Sequence, residues 1–203
     1  MARAGTEVRI AEAAGEPVPQ RLLAVATRLF AEQGFETTSV QQIVDAAGVT
    51  KGAMYHYFGS KDDLLYEIYA RLLRAQTARM QTAADSSEPV QQRLHAVAAD
   101  VVATTAANLD DTVIFFRSMH LLHPDKQAEV RAQRRKYHER VRELIEEGQR
   151  SGVFRSDKSA DLVVDFFFGA VHHLGTWFRQ DGELTGEEVG RNFADLLLAS
   201  LRP

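Results

Sequence analysis

The chain has 203 residues, of which 45% are hydrophobic and 26% charged, as is usual for a globular protein that buries a core. It has no cysteine, which excludes disulfides, thiolate metal ligands and cysteine nucleophiles and favours a cytoplasmic location. No apolar run reaches the length of a membrane-spanning helix, and no secretory signal is evident, so we expect no membrane partner. The net charge of −4 argues against nonspecific binding of polyanions by the whole molecule.

Apolar residues spaced by three and four positions predict helices along the chain, and we predict an all-α fold. Residues 1–18 are expected to form a flexible arm. A first helix is predicted over 19–33, ended by Gly34. Thr38 or Ser39 caps a short helix to residue 47, Thr50 caps another to about residue 58, and Ser60 with Asp63 forms a capping box that begins a longer helix.

The segment 85–89, Asp-Ser-Ser-Glu-Pro, interrupts this pattern and is a candidate domain boundary. Beyond it, the periodicity predicts five more helices, near residues 89–108, 111–122, 124–151, 158–179 and 186–201.

Two short helices joined by a turn at Gly48 form a helix-turn-helix, whose second helix fits the major groove of DNA. The inward positions of that second helix are Val49, Met54 and Phe58. Its outward residues include Lys51, which can reach guanine acceptors or phosphate. The alternative is an aromatic plug at 55–58, but three consecutive residues span about 200° of a helix, so 55–57 do not all face a core.

Residues 21–68 resemble the DNA-binding domain of the TetR family of bacterial transcription regulators. The matching segments are 30–35 (Phe-Ala-Glu-Gln-Gly-Phe), 38–40 (Thr-Ser-Val), 46–49 (Ala-Ala-Gly-Val), 51–58 (Lys-Gly-Ala-Met-Tyr-His-Tyr-Phe) and 60–65 (Ser-Lys-Asp-Asp-Leu-Leu). The resemblance implies a three-helix DNA-binding domain at 19–66 and a larger helical domain at 67–203 that dimerises and binds a ligand. It also implies double-stranded DNA as partner.

The DNA contacts implied by the resemblance lie mainly on the second helix of the motif, with two flanking phosphate contacts at Thr38 and Lys61. Ala53 departs from the larger polar residue usual in such proteins and leaves only an apolar contact, such as one with a thymine methyl group. The predicted DNA-binding residues are Thr38, Thr50, Lys51, Gly52, Ala53, Tyr55, His56, Tyr57 and Lys61.

The segment 161–178 is apolar around most of its circumference, so it must be covered on several sides. Pairing it and the last helix with their two-fold mates would form a four-helix dimer interface. The alternative is that both apolar stripes serve only the core of the monomer. The predicted interface residues of a homodimer are Phe168, Val171, Gly175, Phe193 and Leu197.

Aromatic and histidine side chains suggest a cavity for a small organic effector, although core packing also explains the aromatics. Among the basic residues at 131–142, interspersed glutamates favour a solvated face, and a phosphate site for a coenzyme A moiety is the sharper hypothesis. The segment 114–178 is loosely similar to TetR regulators of lipid and steroid breakdown that sense acyl-CoA thioesters. The predicted ligand-binding residues are Phe115, Phe116, Met119, His120, His123, Arg135, His173 and Trp177.

These patterns predict a homodimeric repressor that binds a palindromic operator and is released by an effector, with an acyl-CoA as one candidate. An activator or a ligand-independent regulator is equally compatible with the residues. A helical metalloenzyme using His120 and His123 with His172 or His173 is a remote alternative, because carboxylate partners at matching spacing are missing. No cofactor and no resident metal are expected.

Overall fold

A computed structural model describes residues 16–203, in which ten α-helices and one short 3₁₀ helix occur and no strand is present. The predicted arm, residues 1–18, lies outside the described residues except for its last three positions. The helices are α1 (Val18–Gln33), α2 (Val40–Ala47), α3 (Lys51–Tyr57), α4 (Lys61–Ala84), α5 (Val90–Ala107), α6 (Leu109–Ser118), the 3₁₀ helix (Met119–Leu121), α7 (Pro124–Arg150), α8 (Ala160–His172), α9 (Leu174–Trp177) and α10 (Gly186–Ser200).

The short helices of the first third begin and end at local capping residues. Ser39, rather than Thr38, caps α2, in a capping box with Gln42. Gly48 has a φ of 63° and turns the chain in the left-handed region, which glycine adopts without strain. Thr50 accepts a 3.1 Å hydrogen bond from the Ala53 amide and starts α3. These two short helices and their turn confirm the predicted helix-turn-helix.

Ser60 caps α4, as predicted, because its hydroxyl accepts a hydrogen bond from the Asp63 amide at 3.0 Å. The reciprocal half of the predicted capping box differs: the Asp63 carboxylate accepts from the Ser60 hydroxyl at 2.8 Å. Helix α4 then runs without interruption across residue 66, where the sequence places the domain boundary. It therefore belongs to both domains.

The first core lies inside the N-terminal domain, which we define as α1–α3 with the first turns of α4. Its buried members include Leu22, Phe30, Ile43 and Met54. The same core continues into the α6–α7 region through Ile114, Phe115, Leu122 and Val130. The end of α6 and the start of α7 are thus packed directly against the N-terminal domain.

The second core joins α5, α7, α8 and α10 with the end of α4. Helix α10 packs along α5 at very close range, because a Cβ added at Gly190 would lie 2.5 Å from the Ala99 carbonyl oxygen. Met80 and Ala84, before the 85–89 break, share this core with Val90 after it. The predicted domain boundary at 85–89 is therefore wrong; the segment is a loop within one domain.

Two predicted helices end earlier than their periodicity suggests. The predicted helix 158–179 stops at His172, and the chain restarts as the four-residue α9. The predicted helix 111–122 begins at Leu109 and tightens into the 3₁₀ helix after Ser118. In both places the apolar spacing continues across the end of the helix, because side chains on either side of the break are buried in a core. Spacing alone therefore predicts one longer helix.

Candidate nucleic-acid interface and ligand cavity

Helix α3 presents nearly all of its side chains to solvent, and Met54 is its one fully buried residue. The aromatic pair Tyr55 and Tyr57 is half exposed, at 52% and 49%. Phe58 is buried in the first core, so it matches the plug interpretation, but residues 55–57 do not. The exposed predicted DNA-binding residues are Thr50, Lys51, Gly52, Tyr55, His56 and Tyr57, with Ala53 partly exposed.

Thr38 does not lie on this exposed face. Its side chain is fully buried, and its hydroxyl donates a 2.7 Å hydrogen bond to the Gly34 carbonyl. The predicted phosphate contact of this side chain is wrong, because the hydroxyl stabilises the turn between α1 and α2 instead.

Lys61 also has internal partners. Its ammonium group donates to the carbonyl oxygens of Phe35 at 2.6 Å and of Thr38 at 2.8 Å, and lies 4.3 Å from the centre of the Phe35 ring. Partial burial lowers its pKa, an effect that nearby Glu36 opposes. The geometry does not support the predicted phosphate contact, since Lys61 holds the α1–α2 turn against the start of α4.

A cavity lies between α4, α5, α6, α7 and α8, with about 580 Å³ of empty space when its open mouth is included. Most of its wall is apolar or aromatic, which is the usual character of a small-molecule site. The residues that line it are Tyr69, Leu72, Leu73, Gln76, Val101, Thr105, Thr112, Phe115, Phe116, Arg134, Tyr137, His138, Phe168, Val171 and His172.

Arg134, His138 and His172 form a polar cluster in this otherwise apolar wall. The guanidinium carbon of Arg134 lies 4.7 Å from the centre of the Phe115 ring, and one of its nitrogens is 3.1 Å from Nε2 of His172. The His138 ring stacks on Phe168 with centroids 3.9 Å apart. Burial, together with the charge of Arg134, lowers the pKa of each histidine to about 4, so both rings are neutral at pH 7.

The cavity contains only part of the predicted ligand-binding set. Phe115 and Phe116 line it. Arg135 is exposed, and the neighbouring Arg134 is the arginine that lines the cavity. A helical signal for Arg134 was present: it falls on the buried stripe of α7 at positions 130, 134, 137, 141 and 144. The predicted ligand-binding residues outside the cavity wall are Met119, His120, His123, Arg135, His173 and Trp177.

The predicted dimer residues lie mostly inside the monomer. Phe168, Val171 and Leu197 are buried in the second core, and Phe193 is half-buried with its ring stacked on Trp177. The predicted interface is therefore wrong at the three buried positions, because the richest apolar stripes of α8 and α10 cover the monomer's own core. Gly175 is exposed.

Large apolar side chains are nevertheless exposed on the outer faces of the same two helices. Leu162 and Phe166 of α8 are exposed, Phe166 to 68%, and Leu196 of α10 is exposed to 69%. Gly169 of α8 and His173, the residue directly after α8, continue the exposed row at helical spacing. Large exposed apolar side chains of this kind are typical of protein interaction surfaces.

No helix within residues 16–203 combines the length and apolar character needed to cross a bilayer. In the same part of the chain, no three histidine, aspartate or glutamate side chains are grouped so that they could hold a metal ion.

The fold and the exposed α3 define a helix-turn-helix DNA-binding protein with a separate ligand cavity. Two family models match it: "Bacterial regulatory proteins, tetR family" over residues 22–68, and "Tetracyclin repressor-like, C-terminal domain" over residues 87–201. The chain belongs to the TetR family, as the sequence predicted. It is accordingly a transcriptional regulator and not an enzyme.

Similar proteins cover almost the whole chain. The transcriptional repressor KstR2 of Mycobacterium tuberculosis is 27% identical over 89% of this chain and 90% of its own. Its solved structure, described as a ketosteroid transcriptional regulator, aligns with a TM-score of 0.84 over 93% of this chain and 96% of that one. PfmR of Thermus thermophilus is 31% identical, with a TM-score of 0.82 over 90% of this chain and all of its own.

Proposed function

We propose that this protein is a homodimeric transcriptional repressor that binds a palindromic operator in the cytoplasm and is released by a small-molecule effector. The observation that carries the proposal is the exposed polar face of α3, held on a buried Met54. Repression, rather than activation, is supported by the similarity to KstR2, which is named as a repressor.

Base recognition would come from the first turn of α3, and its tyrosines would contact phosphates. Lys51 is exposed and can donate to guanine O6 and N7, while Ala53 offers a methyl contact to thymine. Tyr55 and Tyr57 are half exposed and present hydroxyl groups suited to phosphate oxygens. Such backbone contacts position the helix without distinguishing sequences.

We further propose that the exposed row of α8 and Leu196 of α10 form the two-fold interface. Two copies of these faces would bury Leu162 and Phe166, which the monomer leaves in water. A dimer is functionally necessary, because two α3 helices must lie about 34–36 Å apart to enter successive major grooves of a palindrome.

The effector signal would leave the cavity through α6. Phe115 and Phe116 line the cavity from α6, and the Tyr69 hydroxyl of α4 donates a 2.9 Å hydrogen bond to the Ile114 carbonyl of α6. A ligand that displaces either aromatic ring would therefore move α6, and the hydrogen bond between Tyr69 and Ile114 would pass this movement to α4.

The segment after α6 is attached to the first turn of α4, next to the N-terminal domain. The Lys126 ammonium forms ion pairs with Asp62 and Asp63, and the His123 amide donates to the Asp62 carboxylate at 3.2 Å. The hydrogen bond from Lys126 lowers the pKa of Asp63, opposed by partial burial. Lys61, the first residue of α4, holds the α1–α2 turn. Movement of α6 would therefore pass to α4, from Lys61 to the α1–α2 turn, and from α2 to α3.

This switch needs only a difference in the effector's affinity for two conformations. A ligand that prefers the released form about a hundredfold shifts the equilibrium by about 2.7 kcal/mol. The apolar wall and Arg134 suit an effector with an apolar body and an acidic group. An acyl-CoA thioester is one candidate, in keeping with the similarity of 114–178 to regulators that sense such compounds.

The proposal is tested by selecting bound fragments from the source genome with the purified protein, followed by footprinting and a solution mass measurement. We expect an inverted repeat protected by a dimer. A monomer that shows no sequence preference in a randomised oligonucleotide pool at low salt would overturn the proposal.

A further inference from the structure

We propose that the cavity binds an apolar organic carboxylate, and that Arg134, flanked by His138 and His172, holds its single negative charge. The proposal deepens the function above, since it assumes that this cavity is the effector site. It rests on the composition and geometry of the polar cluster within the apolar wall.

Arg134 is a cation without an anionic partner. It comes from the inward stripe of α7 and is half-buried among Phe115, Phe116 and the two histidines. Within residues 16–203, no carboxylate forms an ion pair with it, whereas Arg140 and Arg142 on the same helix each pair with acidic side chains. A partly desolvated, unpaired guanidinium is costly, and an anionic ligand would remove that cost.

The two histidines fix the charge that the site accepts. A guanidinium has only donors, so Nε2 of His172 must accept from Arg134, and the ring's proton is then on Nδ1. His138 lies with its ring centre 6.2 Å from that of His172 and is neutral at pH 7, as is His172. The cluster therefore carries one positive charge, which matches a monoanion better than a phosphate dianion. The planar fork of a guanidinium matches the two oxygens of a carboxylate.

The remainder of the wall suits an apolar ligand body. Leu72, Leu73, Val101, Phe168 and Val171 line the cavity around the cluster. Gln76 adds an amide from α4 for a further polar point.

A simple acyl-CoA thioester fits this cluster less well than the free acid. If its acyl chain filled the apolar space, the neutral thioester group would lie at the cluster, because the negative charges of an acyl-CoA are on the phosphates at the far end of the coenzyme A moiety. Binding of the free acid should therefore depend on the charge of Arg134, whereas binding of the CoA thioester of the same acyl group should not.

The experiment titrates the full-length protein with a matched panel by calorimetry and thermal shift. The acids are hexanoate, octanoate, phenylacetate and cyclohexanecarboxylate. Each is compared with its corresponding primary alcohol and its CoA thioester. We expect at least one acid to bind ten or more times tighter than its alcohol and its thioester.

The variants are Arg134→Met, which removes the charge but keeps an apolar side chain, and Arg135→Met, which removes the neighbouring exposed charge. We expect the acid-to-alcohol affinity ratio to fall to about one in Arg134→Met and to be unchanged in Arg135→Met. Circular dichroism confirms folding, and His172→Asn, which we expect to weaken acid binding by three- to tenfold, is measured if Arg134→Met does not fold.

Four results would overturn the proposal: no acid of the panel binds, alcohols bind as tightly as acids, a thioester binds tighter than its acid, or the preference for acid survives in Arg134→Met. Operator binding is measured on the same preparations. A protein that binds its operator but no acid disproves this inference alone, whereas one that binds acid but no DNA disproves the proposed function.

Discussion

The N-terminal domain and the ligand cavity differ in how their functional surfaces are specified. In the N-terminal domain, Ser39, Gly48 and Thr50 set the ends of α2 and α3, and each acts within a few residues of its own position. The cavity is formed by five helices, and its polar cluster joins α7 to α8 across 38 positions of sequence, from Arg134 to His172. Local signals therefore suffice for the first surface, and only helix packing defines the second.

The largest effect is expected at the proposed two-fold interface of the second domain. Phe166→Glu places a charge in the exposed row of α8 and should convert the protein to a monomer. Operator affinity should fall more than a hundredfold, since the second α3 no longer binds at high effective concentration. Analytical ultracentrifugation and gel-shift titration measure both effects.

Leu184→Glu is the matched control for this experiment, because Leu184 is also exposed but lies outside α8 and α10. It should remain dimeric. A Phe166→Glu protein that is still a dimer with normal operator affinity would place the interface elsewhere.

The next effect probes the N-terminal domain alone. Lys51→Ala should weaken specific operator binding by ~1–3 kcal/mol and leave the dimer intact, if Lys51 contacts a base. Fluorescence anisotropy with operator and random duplexes measures it, and Lys136→Ala, at an exposed position of α7, is the control. Equal losses on both duplexes would instead identify a phosphate contact.

The connection between the two domains is tested at Lys126. Lys126→Met removes its ion pairs with Asp62 and Asp63, so the first turn of α4 should open more easily by roughly 0.5–2 kcal/mol. Hydrogen exchange of amides 61–66 measures this opening. Lys158→Met, which removes a 3.5 Å pair with Asp157, should leave those amides unchanged. Unaltered exchange in Lys126→Met would contradict the proposed connection.

The smallest effect concerns a single hydroxyl group. Tyr55→Phe should reduce operator affinity by about 0.5–1.5 kcal/mol through one lost hydrogen bond to DNA. Its thermal stability should be unchanged, since the side chain is half exposed. An unaffected operator affinity would show that this hydroxyl does not contact DNA.

The sequence predicted the outward face of α3 correctly, but it erred at two polar side chains that bond to backbone carbonyls of the same domain. Thr38 and Lys61 are polar residues beside the motif, and they were assigned to phosphate. The structure instead pairs the Thr38 hydroxyl with the Gly34 carbonyl, four positions away, and the Lys61 ammonium with the Phe35 carbonyl, 26 positions away. A residue's type and neighbours do not reveal such partners.

The dimer and ligand residues show the same limit. Apolar periodicity identified Phe168, Val171 and Leu197 as covered, which is correct, but it does not say whether the cover is the same chain or a second copy. Likewise, helical spacing places Arg134 on the covered stripe of α7, but it does not show that His172 of α8 lies beside it.

The sequence by itself determined the helical fold, the caps of the helix-turn-helix and the family, because these depend on interactions within a few residues and on a long contiguous motif. The tertiary structure alone decided that Arg134 meets His172 in the cavity, which apolar faces are left in water, and how α6 is joined to α4. Each of these depends on contacts between residues that are distant in the chain, and helical periodicity carries no information about which faces will meet.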